Sequence, residues 1–238
     1  MKNITKKEEP VEFKNWKKNE ETKCAIKRHI DNKDAEDLWD YFPSSPEKED
    51  KKDLDINYYS KAELREYLAS EQGYICCYCN CEIKEDLSNS NIEHLIPKST
   101  NINLTLSYEN LALSCRTNET CNQKRGNIEL PILPTNPNCE LSFRYQLDGK
   151  VNPNYKENQE EYKPLEKMIE DTLNLNNTSL KLDRKQVIEG YIFDSGNTLS
   201  SEDLENIKNK LSEKNKKDDK YKYKEFCCAI ISCINQLS

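Results

Sequence analysis

The chain has 238 residues, a formal net charge of -7 at pH 7, and 33% of its residues charged. Its length suits one large domain or two small ones. No stretch is long and apolar enough to cross a bilayer, and residues 1–18 contain no apolar run typical of a secretory signal. The overall acidity disfavours non-specific binding to nucleic acid, which depends on neutralising phosphates with lysine and arginine. We therefore expect a cytoplasmic protein without a membrane partner.

The first 72 residues predict a charged segment followed by helices. Residues 1–19 are charged and lack a periodic pattern, so we expect a flexible or partner-docking segment there. Apolar residues at helical spacing predict an N-terminal helical region over 20–72. Its last helix is predicted to begin after Ser60, because Glu63 completes a capping-box pattern. Gly73 is expected to end this helix.

The cysteines indicate a metal site. Eleven cysteines in a chain without a secretory signal imply a reducing compartment, where paired cysteines more often hold metal than form disulfides. The candidate zinc ligands are Cys76, Cys79, Cys115 and Cys121. The first two form a Cys-x-x-Cys knuckle, whereas five residues separate the last two where two are usual. Cys77 and Cys81 flank the knuckle and remain alternative ligands. The other thiols are interpreted as core or surface groups: Cys24, Cys139, Cys227, Cys228 and Cys233.

One of the chain's two histidines lies between the cysteine pairs. The strand-like run "NIEHLIPKS" carries Glu93 and His94, a polar loop follows, and "YENLALSC" forms a second apolar run. A helix is predicted to start at "NQKRGN". A neutral imidazole can take a proton from water near pH 7, so His94 is a candidate general base. A lone histidine would more often be structural, and His29, which matches no motif, is interpreted in that way.

Residues 131–238 predict a mostly helical region with one β-hairpin. The runs "LSFRYQL" and "GKVNPNY" flank an Asp-Gly turn signal. Helical patterns follow, and the last of them, "KYKEFCCAIISCINQL", is apolar along much of its length. The pattern indicates an α+β protein with a metal-held centre over 73–130 and helices on both sides.

The order of motifs in the centre resembles the HNH nucleases, which have a ββα-metal core. The residues that carry the resemblance are "EHLIPKS", "YENLALSC" and "CNQKRGN". Over the whole chain, "EEPVEFKNW", "EQGYICCYC" and the "TLNLN…L…DR" stretch resemble the HNH subunit of Septu-type and retron-linked phage-defence systems. The resemblance implies a zinc-stabilised ββα-metal core flanked by N-terminal and C-terminal α-helices.

The resemblance also implies a role for each polar residue of the core. His94 would activate water, and Asn110 would hold the hairpin loop and orient His94. Glu93 and Asn122 would ligate a catalytic Mg²⁺ or Mn²⁺, in addition to the structural zinc. Many relatives carry aspartate at the Glu93 position and histidine at the Asn122 position. Three cations are expected to meet the phosphate backbone: Lys98, Lys124 and Arg125.

The expected function is metal-dependent endonuclease activity, with DNA as the expected substrate. The Septu-like resemblance implies an ABC/SMC-like ATPase partner, which could supply the nucleic-acid grip that an acidic chain lacks. Two alternatives remain open. One is a non-catalytic adaptor in which zinc is only a structural clip, although a clip has no need of His94 or Asn122. The other is an RNA-specific nuclease such as a tRNA cleaver.

Overall fold

The computed structural model describes residues 1–45, 59–117, 119–154, 162–193, 199–217 and 219–237. The helices in these ranges are α1 (Val11–Lys18), α2 (Glu20–Asp31), α3 (Ala35–Tyr41), α4 (Lys61–Gln72), α5 (Cys121–Arg125), α6 (Lys163–Lys167), α7 (Thr178–Ile192), α8 (Ser201–Ser212) and α9 (Cys227–Leu237). The strands are β1 (Ser90–His94), β2 (Leu111–Cys115), β3 (Phe143–Tyr145), β4 (Val151–Pro153), β5 (Asn215–Lys217) and β6 (Lys220–Lys222). None of the described helices is long and apolar enough to cross a membrane.

The mixed helix and strand content confirms the α+β class. Among the described residues the strands form three antiparallel pairs, β1 with β2, β3 with β4, and β5 with β6. The predicted Asp-Gly hairpin is the β3–β4 pair. The predicted start of α4 is also confirmed, because the Ser60 side chain and the Glu63 side chain cap each other's backbone.

Helix α4 ends at Gly73, as its sequence predicts, and the structure adds a second reason for glycine. Gly73 has φ 65°, in the left-handed region that favours glycine. A Cβ atom at this position would lie 2.6 Å from the ring of Tyr223. The Tyr223 amide donates to the Gly73 carbonyl at 3.0 Å. The end of α4 is therefore shaped to accept the chain that follows β6.

The segment expected to be flexible or to dock a partner packs against its own chain. Helix α1 buries Phe13 and Trp16 in an aromatic cluster with Phe42. Upstream of α1, the Lys6 ammonium lies 2.6 Å from the buried Glu71 carboxylate on α4. Residues 1–19 are thus part of the folded body.

The last helix begins later than its pattern over 222–237 predicts. Residues 220–222 form strand β6, and α9 begins only at Cys227. Lysine and tyrosine alternate from Lys220 to Lys224, a period of two that suits a strand with one face against α4. The Lys222 side chain on this strand is buried and paired with Glu85. Because of this packing, Lys222 ends a strand and does not begin the helix.

The β1–β2 hairpin lies between two hydrophobic clusters. Leu111 and Leu113 of β2 join the aromatic cluster beneath α1, α3 and α4. Ala112, between them, joins the second cluster, which contains the knuckle cysteines and α9. Successive residues of a strand point to opposite faces, so each face of the hairpin packs against a different cluster. The candidate site residues inherit this division.

Candidate metal centre and active site

The hairpin brings the predicted chemistry together at its ends. Strand β1 pairs with β2 from Ser90 opposite Cys115 to His94 opposite Leu111. The cysteine end therefore lies at one end of the ladder and the histidine at the other. Helix α5 follows β2 and begins at Cys121, which returns a thiol to the cysteine end.

Five thiols converge at the cysteine end. The sulfur atoms of four of them lie within 4.8 Å of one another: Cys76, Cys79, Cys81 and Cys115. The Cys79 and Cys115 sulfurs are 3.7 Å apart, and Cys121 Sγ lies 3.9 Å from Cys76 Sγ. Three of the four predicted ligands therefore belong to the tight set. Cys81, expected only as an alternative, is its fourth member, and Cys121 adjoins it.

The thiol spacing fits a zinc ion. Four sulfurs at ~2.3 Å from a tetrahedral zinc would be ~3.8 Å apart, close to the separations of 3.7 and 3.9 Å in the structure. Backbone amides support thiolate charge at this point, because Cys115 N–H and Tyr78 N–H donate to Cys76 Sγ at 3.3 and 3.5 Å. Asn80 has φ 64°, which turns the chain from Cys79 back towards Cys81. The cluster could hold a metal ion.

Glu93 points into the interior of the molecule. Its side chain is 4% exposed. Oε1 pairs with the Arg125 guanidinium and accepts a hydrogen bond of 3.0 Å from the Tyr78 hydroxyl. Oε2 is buried and has no hydrogen-bond partner among the described residues. Burial raises the pKa of the Glu93 carboxyl above its ordinary value, and the Arg125 charge and the Tyr78 hydroxyl limit that rise.

Arg125 lies in a different place from the one its sequence suggests. It was expected to meet nucleic-acid phosphate, yet its side chain is 1% exposed. Besides Glu93, it donates to the carbonyls of His94, Leu95 and Ile128 at 2.9, 2.6 and 2.8 Å. These hydrogen bonds occupy the donors of Arg125 and connect α5 to the end of β1. The neighbouring Lys124 is exposed and leaves a free ammonium on this helix.

His94 lies on the opposite face of β1 from Glu93. Its Nε2 is 3.0 Å from the Thr105 carbonyl oxygen. The Trp39 ring of α3 meets the imidazole edge to face, with ring centres 4.6 Å apart. Burial lowers the pKa of His94 to about 4, and the charges of nearby lysines act in the same direction. The imidazole is therefore neutral at pH 7.

Asn110 ties the two ends of the loop between β1 and β2. Its Oδ1 accepts from Ile96 N–H at 2.7 Å, and its Nδ2 donates to the carbonyls of Ile96 and Leu104 at 2.9 and 3.2 Å. All three contacts lie within the loop that also presents the Thr105 carbonyl to His94. Asn110 is thus placed to hold the group that orients the imidazole.

The remaining predicted residues lie at or near the surface. Asn122 is half-buried in the first turn of α5. Lys98 lies in the loop after β1, and its ammonium is 2.6 Å from Glu36 on α3. Lys98 and His94 both contact α3, through Glu36 and Trp39, so they lie on the same side of the hairpin, and the Lys98 charge lowers the pKa of the imidazole.

Four contributors to the site escaped the sequence-based interpretation. Tyr78 lies inside the "CCYC" motif, which was interpreted only through its cysteines. Thr105 acts through its backbone carbonyl, which no side-chain pattern reveals. Trp39 and Lys61 come from α3 and α4, more than 30 residues before His94 in the chain. Only the Tyr78 position carried a local signal, since a tyrosine in a buried knuckle needs a polar partner.

By sequence, the chain is similar to HNH nucleases of Septu and retron type, and the expected resemblance is confirmed. It is 37% identical over 137 residues, 55% of this chain, to a Vibrio cholerae protein named "Retron Vc95 putative HNH endonuclease". It is 35% identical over 82 residues, 32% of this chain, to the Septu protein PtuB of Bacillus thuringiensis. The matches span 65% and 31% of these relatives, so less than two thirds of either. No family model matches the chain.

Proposed function

We propose that this protein is a metal-dependent endonuclease that hydrolyses nucleic-acid phosphodiester bonds at a ββα-metal centre built from β1, β2 and α5. His94 is its general base. DNA is the proposed substrate, and the protein acts as the effector subunit of an anti-phage defence complex with an ABC/SMC-like ATPase. The names of the two relatives, an HNH endonuclease of a retron and a Septu protein, support this assignment.

The contact between His94 and Thr105 is the observation that carries the proposal. A carbonyl oxygen can only accept, so Nε2 carries the hydrogen and Nδ1 keeps its lone pair. This tautomer leaves a basic nitrogen for a water molecule, and Asn110 holds the loop that enforces it. Nδ1 takes the proton of the water that attacks phosphorus, the bond to the leaving oxygen breaks, and solvent protonates that oxygen.

Two different sets of residues are proposed for the two metals. The thiol cluster holds zinc as a structural clamp. Glu93 Oε2, a buried carboxylate oxygen without a protein partner, and the Asn122 side chain would hold Mg²⁺ or Mn²⁺. When bound, that cation would stabilise the charge that develops on the phosphate and the leaving oxygen. Lys98 and Lys124 bind the backbone phosphates on either side.

The test compares the chain's two histidines. Purified wild type, His94→Ala and His29→Ala are incubated with supercoiled plasmid and with total tRNA, in Mn²⁺ or Mg²⁺, with and without the candidate ATPase. We expect His94→Ala to lose ~10²- to 10⁴-fold in cleavage rate with an unchanged unfolding midpoint, and His29→Ala to retain full activity. Cleavage that survives His94→Ala would refute the assignment and favour the adaptor, and cleavage of tRNA alone would favour the RNA alternative.

A further inference from the structure

Two lysines lie beside His94, and both are paired with carboxylates of α3. Lys98 Nζ is 2.6 Å from Glu36, and Lys61 Nζ is 3.8 Å from Asp40. The lysine side chains are only 15% and 12% exposed, whereas those of Glu36 and Asp40 are 74% and 77% exposed. The two lysine side chains therefore lie beneath the acidic side chains, on the same side of the hairpin as the imidazole of His94.

The same helix covers the imidazole itself. Trp39 lies between Glu36 and Asp40 in the sequence, and its ring rests against His94. The Lys61 ammonium lies 4.7 Å from the centre of that ring. Leu38, one residue before Trp39, is buried in the aromatic cluster and fixes the helix in this place. The stretch of α3 from Glu36 to Asp40 thus contacts His94, Lys61 and Lys98.

We propose that Lys61 and Lys98 form a phosphate-binding pair beside His94, and that Glu36 and Asp40 occupy this pair until nucleic-acid phosphate replaces them. The inference rests on the proposed nuclease function and adds to it a self-inhibiting contact. Lys61, which matches no HNH motif, becomes a second cation for the substrate backbone. Helix α3 supplies the carboxylates that compete with the substrate.

The energetics suit a contact that nucleic acid can replace. Because both carboxylates are well exposed, each can swing into water at a small cost, which corresponds to a few-fold change in duplex affinity. A duplex presents a row of phosphates and releases condensed counterions when lysines neutralise it. The carboxylates thus weaken binding of short or isolated phosphates and leave an extended backbone able to displace them. This explains why an acidic chain can bury two lysine ammonium groups beside its candidate base.

The experiment compares two neighbouring acids of α3. Glu36→Gln and Asp37→Asn each remove one negative charge from exposed positions, but Asp37 pairs with no lysine in the part of the chain that the structure describes. The full-length variants are titrated with a fluorescein-labelled 20-base-pair duplex in EDTA, and plasmid cleavage is measured separately in Mn²⁺. We expect Glu36→Gln to bind the duplex about 1.5- to 5-fold more tightly than Asp37→Asn, a factor that corresponds to the energy of one exposed pair.

A second comparison tests Lys61. Lys61→Gln is introduced into wild type and into Glu36→Gln/Asp40→Asn. We expect a larger loss of duplex affinity in the double variant, where the lysine pair is free, and a slope of log affinity against log salt smaller by ~0.9 for the lost phosphate contact. Urea unfolding of each variant shows whether the fold is kept.

The outcomes separate the two proposals. Equal affinity of Glu36→Gln and Asp37→Asn, with His94-dependent cleavage intact, overturns the self-inhibiting contact and leaves the nuclease assignment standing. A Lys61→Gln effect that is the same in both backgrounds overturns it as well. If no form binds the duplex and no form cleaves plasmid, either alone or with the candidate ATPase, the proposed function is overturned, and the inference falls with it.

Discussion

Glu93 and His94 are neighbours on β1, yet their side chains lie in very different surroundings. Glu93 points inward, towards the Arg125 guanidinium, the Tyr78 hydroxyl and the thiol cluster. His94 points outward, towards Trp39 and the lysines of the other face. We call these the inner face and the outer face of β1. The inner face holds the molecule together and contains Glu93, the proposed ligand of the catalytic cation, whereas the outer face carries His94, the proposed base.

The comparison teaches that one motif can serve two purposes through strand alternation. In "EHLIPK", the glutamate fastens α5 to the hairpin through Arg125, and the histidine is left on a different surface with its tautomer set by Thr105. Changes on the inner face should therefore lower stability before they lower activity. Changes on the outer face should do the opposite. Three predictions, from the largest effect to the smallest, test this division.

The largest effect is expected from the thiol cluster. Cys79→Ala removes one ligand from the set of four, and a structural zinc site contributes on the order of 10 kcal/mol to folding. We expect this variant to lose bound zinc and cooperative unfolding. Zinc content by mass spectrometry of the native protein and thermal unfolding by circular dichroism measure the two effects. The control is Cys24→Ala, because Cys24 is exposed and belongs to α2.

The same assay identifies the fourth ligand. Cys81→Ala and Cys121→Ala are compared, since both sulfurs adjoin the three shared ligands. The variant that loses zinc names the ligand. Wild-type protein that contains no zinc and unfolds at the same midpoint as Cys79→Ala would show that the cluster is an ordinary group of buried thiols and would remove the clamp from the inner face.

An intermediate effect is expected at Arg125. Arg125→Met leaves the Glu93 carboxylate buried without its partner, and removal of one member of a buried pair costs about 3–5 kcal/mol. Lys124→Met is the matched control, because it removes the same charge from the exposed neighbouring residue. We expect a shift below 0.5 kcal/mol for the control in urea unfolding. A stable Arg125→Met protein that fails to bind duplex would return Arg125 to its expected role at the phosphate backbone.

Local patterns predicted the parts of the site that depend on spacing. The Cys-x-x-Cys knuckle places Cys76 and Cys79 in one turn, and the position of His94 before a polar loop predicts the end of a strand. The capping box of Ser60 and Glu63 likewise acts within one turn of helix. Each of these features involves residues that are close together in the chain, so a local sequence pattern is enough to predict it.

The remaining features depend on distant parts of the chain. Arg125 carries no sign in its own sequence that it will be buried, because its acceptors His94 and Leu95 lie 31 and 30 residues before it in the chain. Trp39 reaches His94 only because α3 packs on the hairpin. Helix α9 begins at Cys227, after its predicted start at Lys222, because Lys222 belongs to β6, which packs on α4. Tertiary contacts of this kind override local propensity, and a single sequence does not reveal them.

The smallest effect is expected at Tyr78. Its hydroxyl donates to Glu93 Oε1 at 3.0 Å and accepts from Arg125 Nη1 at 2.8 Å, so it links the two charges of the inner face. Both charged groups keep their direct contact in Tyr78→Phe, and the loss is therefore that of a shared hydrogen bond, about 1–2 kcal/mol in the free energy of unfolding.

The control for Tyr78→Phe is Tyr221→Phe, which removes a hydroxyl from an exposed ring and should leave stability unchanged. Plasmid cleavage per folded molecule should match wild type in both variants, because the Tyr78 hydroxyl contacts Glu93 Oε1 and leaves Oε2, the oxygen that we assign to the cation, untouched. A Tyr78→Phe protein with normal unfolding and impaired cleavage would break the division between the faces. The inner face would then act on the reaction through Glu93, whose Oε2 is the carboxylate oxygen that we assign to the catalytic cation.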